Sequence, residues 1–218
     1  MSASKKTQAH IKYKDQEGNI VPGVTTVLSI LAKPALVKWA NNLGLQGIDS
    51  NKYRDEMADI GTLAHLMILG HFNKQETDTS EYSKTQIEKA ENCLLSFYEW
   101  EKGHTIYPIL VEKPLVSDMW GYGGTIDLYC ELEGEPTLID FKTGKAIYPE
   151  MMCQLAAYKE LLIENGHECS KTRILRIGRD EDEGFEERVK VNLSSESMVF
   201  HHCLGIYNLQ KQIRKENK

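Results

Sequence analysis

Two aspartates and a lysine carry the chemistry most open to this chain. Asp127 lies in Gly124-Thr125-Ile126-Asp127-Leu128-Tyr129, an alternating run that reads as a strand, and Asp140 lies in a second run, Thr137-Leu138-Ile139-Asp140-Phe141. The sequence Glu133-Gly134-Glu135-Pro136 places a turn between them. Lys142 follows Asp140 by two, so in extended backbone both side chains leave the same face. A carboxylate between Ile139 and Phe141 costs free energy unless a cation or hydrogen bonds compensate it. Taken singly, Asp127 reads equally as a water-facing residue of an edge strand, and Asp140 with Lys142 as a structural ion pair. Together, two carboxylates and an ammonium can hold a divalent cation against a phosphate and activate a water beside it. Further along, Gln154 and Tyr158 are four apart on a helical run and so share one face.

The elements that must position these groups follow from periodicity. A short strand is expected over His10–Asp15, closed by Glu17-Gly18-Asn19, and a short helix follows with Thr25 or Thr26 as N-cap. Pro34 opens the next helix, which stops near Gly44, and a longer one spans about Tyr53–Phe72. Asn73–Ser83 reads as a surface loop, and Thr85–Lys102 as an amphipathic helix on Ile87, Ala90, Leu94, Phe97 and Tyr98. Strands are expected over Thr105–Val116, Thr125–Leu132 and Thr137–Lys142, with turn chemistry at Asp118–Gly124. Glu150–Glu164 returns to helix, Lys171–Ile177 and Glu187–Leu193 to strand. Ser194 or Ser195 then caps a terminal helix whose last turns, Lys211–Lys218, are expected to fray. This order implies one α/β domain with a mixed central sheet flanked by helices.

Composition narrows the class. A chain of 218 residues with 41% hydrophobic and 27% charged residues is that of an ordinary globular protein able to bury one sizeable core. No apolar run is long enough to span a membrane, and the start, MSASKKTQAH, lacks an apolar signal core, so a cytoplasmic or at least intracellular protein is expected. Five widely spaced cysteines without a Cys-x-x-Cys pair point to free buried thiols rather than disulfides or a thiolate metal site. A net charge of −6 argues against a protein that coats nucleic acid, yet leaves room for an enzyme that acts on it. No phosphate-binding Gly-x-x-x-x-Gly-Lys loop is present, so ATP is not implied.

At this point the motifs resemble a known family. Gly124-Thr125-Ile126-Asp127, then Ile139-Asp140-Phe141-Lys142-Thr143-Gly144, then Gln154-Leu155-Ala156-Ala157-Tyr158 are similar to the ordered motifs of the PD-(D/E)XK nuclease superfamily. The likeness is to its RecB-like exonuclease branch, which includes phage-type and mitochondrial genome maintenance exonucleases. Gly61-Thr62-Leu63-Ala64-His65 resembles that branch's Gly-Thr-x-x-His helix, Val24-Thr25-Thr26-Val27-Leu28 an N-terminal run of the phage-type proteins, and Glu112 an acidic position before the second motif. The resemblance covers roughly residues 20–160. It implies a restriction-endonuclease-like core over about 103–193, an N-terminal helical part over about 20–102, and a C-terminal helix, all within a single domain 1–218.

The resemblance further implies a metal-dependent DNA nuclease of the exonuclease kind, serving DNA processing, recombination or repair. Asp127, Asp140, His65 and the carbonyl of Phe141 would hold Mg²⁺ or Mn²⁺. Lys142 would orient the attacking water, and Gln154 and Tyr158 would position the scissile phosphate. Thr25, Thr26, Glu112 and Lys145 are candidate substrate contacts, and Lys33, Lys38 and Arg173 candidates for tracking a backbone. DNA, single-stranded or with a free end, is the expected partner, with a homo-oligomer or replication and recombination proteins as further partners. Too few cysteines follow Tyr158 for the iron–sulfur cluster some of these branches carry. Two other classes remain open: a non-cleaving nucleic-acid or protein binding module on the same fold, and a glycoside hydrolase built on the carboxylate pair, which leaves Lys142 without a role.

Overall fold

The computed structural model describes residues 11–217. Elements run in chain order as β1 (Tyr13–Lys14), β2 (Ile20–Val21), α1 (Val24–Leu28), α2 (Pro34–Leu45), α3 (Ser50–Asn73) and α4 (Lys84–Glu101). There follow β3 (Ile106–Ser117), β4 (Tyr122–Leu132), β5 (Glu135–Thr143), α5 (Pro149–Glu164), β6 (Lys171–Ile177), β7 (Phe185–Lys190) and α6 (Ser194–Glu216). The central sheet has the order β3-β4-β5-β6-β7 and is mixed, with β5 and β6 parallel and the other neighbours antiparallel. The parallel pair exists because α5 carries the chain back over one face between β5 and β6, the crossover that parallel strands require. β1 and β2 form a separate two-stranded ribbon.

The two faces of the sheet carry separate apolar clusters, and β4 breaks its alternation at Asp127, so that Ile126 and Leu128 belong to opposite ones. Ile126, Tyr129, Leu138 and Ile174 face α1, α5 and α6, where they meet Val27, Leu155, Leu161 and Phe200. Leu128, Ile139, Phe141 and Leu175 face α3 and α4, where they meet Leu63, Ile68, Phe97 and Trp100. With apolar residues on both sides, β4 and β5 are buried central strands, not edges. The expected α/β sandwich with a mixed sheet is the observed one.

Several local expectations are corrected. The N-cap of α1 is Gly23, and Thr25 and Thr26 sit exposed within the helix, because the chain enters it bridged to β4 through Gly23 and Gly123. α3 starts at Ser50, since the Asp49 carboxylate accepts from the amides of Asn51 and Lys52 and caps it there. Gly123 and Gly124 belong to β4 rather than to the preceding turn: both are buried beneath tyrosine rings, where a bare backbone is what fits. β7 spans Phe185–Lys190, because its pairing with β6 ends at Thr172 opposite Lys190 and the chain then turns into α6. The residue that precedes α6 is Leu193, not a serine, and the helix continues through the expected fraying region to Glu216. The ends of two expected features, His10 and Lys218, lie outside the described residues. All five cysteines are free and buried, as expected, with burial pushing the Cys93 and Cys130 thiols up to about 12.

Candidate functional site

The site forms where β4 and β5 stop pairing. Their antiparallel ladder runs from Leu132 opposite Glu135 to Leu128 opposite Ile139 and goes no further. Beyond that point the backbones separate, and the side chain of Asp127 fills the gap: its Oδ2 accepts from the backbone N–H of Phe141 at 2.8 Å. A carboxylate thus replaces the next rung of the ladder, and it lies against the peptide that joins Asp140 to Phe141.

Asp140 and Lys142 leave the same face of β5. Lys142 Nζ stands 2.5 Å from Asp140 Oδ2, yet neither carboxylate oxygen of Asp140 receives a hydrogen bond in good geometry, and the residue is only 1% exposed. Burial raises the Asp140 carboxyl to about 6, opposed by the Lys142 charge and reinforced by Asp127. For the Lys142 amine, burial acts to lower the pKa, but the Asp140 and Asp127 carboxylates outweigh it and the net shift is upward. A buried carboxylate with unsatisfied oxygens beside a second carboxylate is costly for the fold and is the arrangement a bound cation would relieve.

α5 supplies the wall on this face. Gln154 Nε2 donates to Tyr158 Oη at 2.8 Å, so the two residues share a face and also a hydrogen bond. The Tyr158 phenol is held well above its ordinary value by burial first and then by the Asp140 and Asp127 charges. Gly124 makes this fit possible: a Cβ there would come within 2.5 Å of Tyr158 Cε1. The wall on the opposite face is α3. His65 Nδ1 is 3.7 Å from Asp127 Oδ2, and its ring meets that of Phe141 edge-on. α3 can approach β5 so closely because Gly61 has no side chain; a Cβ would lie 2.6 Å from Thr143 Oγ1.

Asp127, Asp140, Lys142, Gln154, Tyr158, His65 and Phe141 are therefore brought together around one end of the sheet, with Asp127 in the gap linking the two faces. Glu112 lines a cavity together with His65 and Asp127, and its φ of 48° turns the strand out of regular geometry at that residue. Lys145 is exposed in the loop after β5. Thr25 and Thr26 face solvent from α1. Lys33 is committed to Glu150, and Arg173 is ion-paired across strands with Glu187, so neither is free to follow a substrate. Sequence reasoning missed Tyr13, whose hydroxyl bonds Thr125 Oγ1 at 3.0 Å, 112 positions away. No signal at Tyr13 itself announces this, because its ring is seated by Gly23 and Gly123, not by its neighbours in the chain.

Among the described residues, no three His, Cys, Asp or Glu side chains form a ready-made ion cage. The donors at the gap are two carboxylates, one imidazole and a backbone. A strand residue sends its N–H and C=O to the same side, so the carbonyl of Phe141 is directed into the gap with the amide that Asp127 holds. Such a sparse oxygen-rich set could hold a divalent cation that keeps several of its waters.

No protein-family model matches this chain, and no curated protein does. Among solved structures, the chain is similar to a protein from Eubacterium rectale named "Putative exonuclease", with 14% identity over 72% of this chain and 68% of that one and a TM-score of 0.51. The two share a fold. An alkaline exonuclease from Laribacter hongkongensis also aligns, at 15% identity over 71% of this chain and 84% of that one, but its TM-score of 0.36 carries no structural argument.

Proposed function

We propose that this protein is a metal-dependent deoxyribonuclease of the PD-(D/E)XK superfamily, RecB-like branch, that hydrolyses phosphodiester bonds from a free DNA end. One observation carries the reading: Asp140, buried and held by Lys142 alone, stands within the field of Asp127 where β4 and β5 part. A purely structural ion pair would not need a second carboxylate spread into the same gap. The order of the matched sequence motifs and the shared fold support the same reading.

In this reading Asp127, Asp140, His65 and the Phe141 carbonyl would hold Mg²⁺ or Mn²⁺. When bound, the ion polarises a phosphate oxygen and lowers the pKa of the attacking water. Lys142 would orient the attacking water and stabilise the negative charge on the phosphoryl oxygens in the transition state. Gln154 orients the Tyr158 hydroxyl, which stays protonated throughout the working pH range and so donates to the scissile phosphate. Hydrophobic packing of α5 on the sheet holds that donor still, which is where positioning contributes to rate. Lys145 lies beside the exit of the strand.

The reading is tested by Asp140→Ala and Lys142→Ala. Each is expected to abolish magnesium-dependent degradation of an end-labelled oligonucleotide, and undiminished cleavage by either variant defeats the assignment. Comparing linear DNA with covalently closed circles then separates exonuclease from endonuclease action, and a calorimetric Mn²⁺ titration reports ion binding without catalysis.

A further inference from the structure

α6 meets the body of the molecule with one side only. Phe200, Cys203 and Leu204 are its buried residues, and Tyr207 is half-buried one turn further on. From Asn208 to Glu216 every residue is exposed. Lys211, Arg214 and Lys215 continue the inward side beyond the core and, with Ser29 and Ile30 after α1, line a cavity there.

A second apolar seam runs along the outer side. Val199, Ile206, Leu209 and Ile213 are each between 40% and 60% exposed, and His202, also exposed, completes a spacing of three, four, three and four. That is the heptad spacing of a coiled-coil seam, with Val199, Ile206 and Ile213 at the first position of each repeat and His202 and Leu209 at the fourth. At 3.6 residues per turn the seam lies roughly 130° around the helix from the buried side, so the body does not cover it. It has defined ends, since Asn192 and Ser195 hold the preceding places and Glu216 the next. Apolar residues scattered singly over a surface are ordinary, but a stripe in this register on one regular helix is a packing face.

Charge chooses the occupant. The positions beside a coiled-coil seam set which helices accept one another, and here Gly205, Gln210 and Gln212 stand there, all uncharged. A partner helix of either charge finds no complement at these places, whereas an identical helix meets no repulsion. Lys211, Arg214 and Lys215 are turned to the opposite side, toward Ser29 and Ile30. The area is also sufficient. With adjacent Met198, 62% exposed, the apolar side chains present on the order of 500 Å² per copy, or about 1,000 Å² for a pair, where specific interfaces begin. Phe200 and Leu204 already hold the helix against the core, so pairing orders no new backbone. His202, the polar group within the seam, fixes the register at some cost in strength.

We propose that α6 joins two copies of this chain through its outer seam, as a two-fold, two-helix coiled coil. The same patch serves both copies, so the pairing closes on itself and stops at two. The inference concerns association alone and is independent of whether the protein cuts DNA.

The test is sedimentation velocity on the full chain from about 1 to 200 µM, a span that brackets an interface of this size. The parent is expected to pass from the mass of one chain to that of two. Ile206→Glu combined with Leu209→Glu is expected to stay at one throughout. Its thermal midpoint at the dilute end should match the parent's, because both side chains are exposed. Two further variants test the identity of the partner: Gln210→Glu with Gln212→Glu, and Gln210→Lys with Gln212→Lys. Each alone is expected to weaken pairing by about tenfold or more through like-charge repulsion, and an equimolar mixture to restore it, whichever way the helices run. A parent that remains single at the highest concentration overturns the proposal. So does a pair that survives the Ile206 and Leu209 substitutions, an assembly of three or more copies, or a mixture that fails to recover.

Discussion

A carboxylate that is 1% exposed, with the Lys142 ammonium as its close partner, sits at the centre of the site. Burial raises the Asp140 carboxyl to about 6, so its ionised form disfavours the folded state at neutral pH. The sign is opposite to that of an ordinary salt-bridged aspartate. Protonation favours the fold as pH drops through about 6 toward the ordinary value of 3.8, and the cost is present in full above it. Removing Asp140 alone would strand Lys142, so the informative variant neutralises both. Asp140→Asn with Lys142→Met is expected to match or exceed the parent's thermal midpoint at pH 7, with the advantage shrinking near about pH 5. A midpoint several degrees lower would mean that the pair stabilises the fold. Gly124 shows the same coupling of fit and function: Gly124→Ala should cost about 1–3 kcal/mol and reduce activity, since the new methyl displaces the Tyr158 ring. Chemical denaturation and initial rates measured on one preparation separate the two effects.

Between elements, the loop from β6 to β7 is fastened to α4 by polar contacts. Asn92 Nδ2 donates to the Arg179 carbonyl, and the Cys93 thiol to that of Gly178. Within the loop Arg179 and Glu183 form an ion pair whose side chains are both buried. Hydrogen bonds from Arg179 hold the Glu183 carboxyl below the usual range, against the effect of burial. The stability this contributes is present above the ordinary glutamate value and is lost as pH falls through the depressed one. Arg179→Ala should cost about 3 kcal/mol by leaving the largely buried Glu183 carboxylate with only the backbone amide of residue 179 as its local donor. Glu183→Gln should flatten the acid limb of the stability–pH curve, and acid titrations followed by circular dichroism read both results. Arg176 extends the fastening toward the site, since its Nη1 donates to the Gly144 carbonyl just beyond Lys142 and also to that of Glu183.

At the level of the whole molecule, one sheet is covered on both faces by apolar clusters that share its strands. Neither cluster can lose its sheet face without exposing the back of the other, so a single cooperative transition is expected. Far-ultraviolet dichroism and tryptophan emission, to which buried Trp100 of the α3–α4 layer contributes, should give coincident midpoints; separated midpoints would mean that the fold does not melt as one unit. Among the described residues no helix is long and apolar enough to cross a membrane.

What could be read without coordinates are relations set by backbone periodicity. The spacing of two between Asp140 and Lys142 and of four between Gln154 and Tyr158 each fix a shared face, because strand and helix geometry leave little freedom over such intervals. Apolar periodicity likewise placed α3 to α6 and β3 to β6 within a few residues of where they lie. The parting of β4 and β5 was not legible, nor was the link from Asp127 to the Phe141 amide. Both depend on where one ladder ends and on what packs above and below it. His65 meets Asp127 only because Gly61 lets α3 settle against Thr143, and Tyr13 reaches Thr125 only across two distant glycines. Those contacts join residues 62 to 112 positions apart, held by many small packing energies that no local pattern records. Sequence alone could name the groups and pair the near ones; tertiary packing decided that they meet.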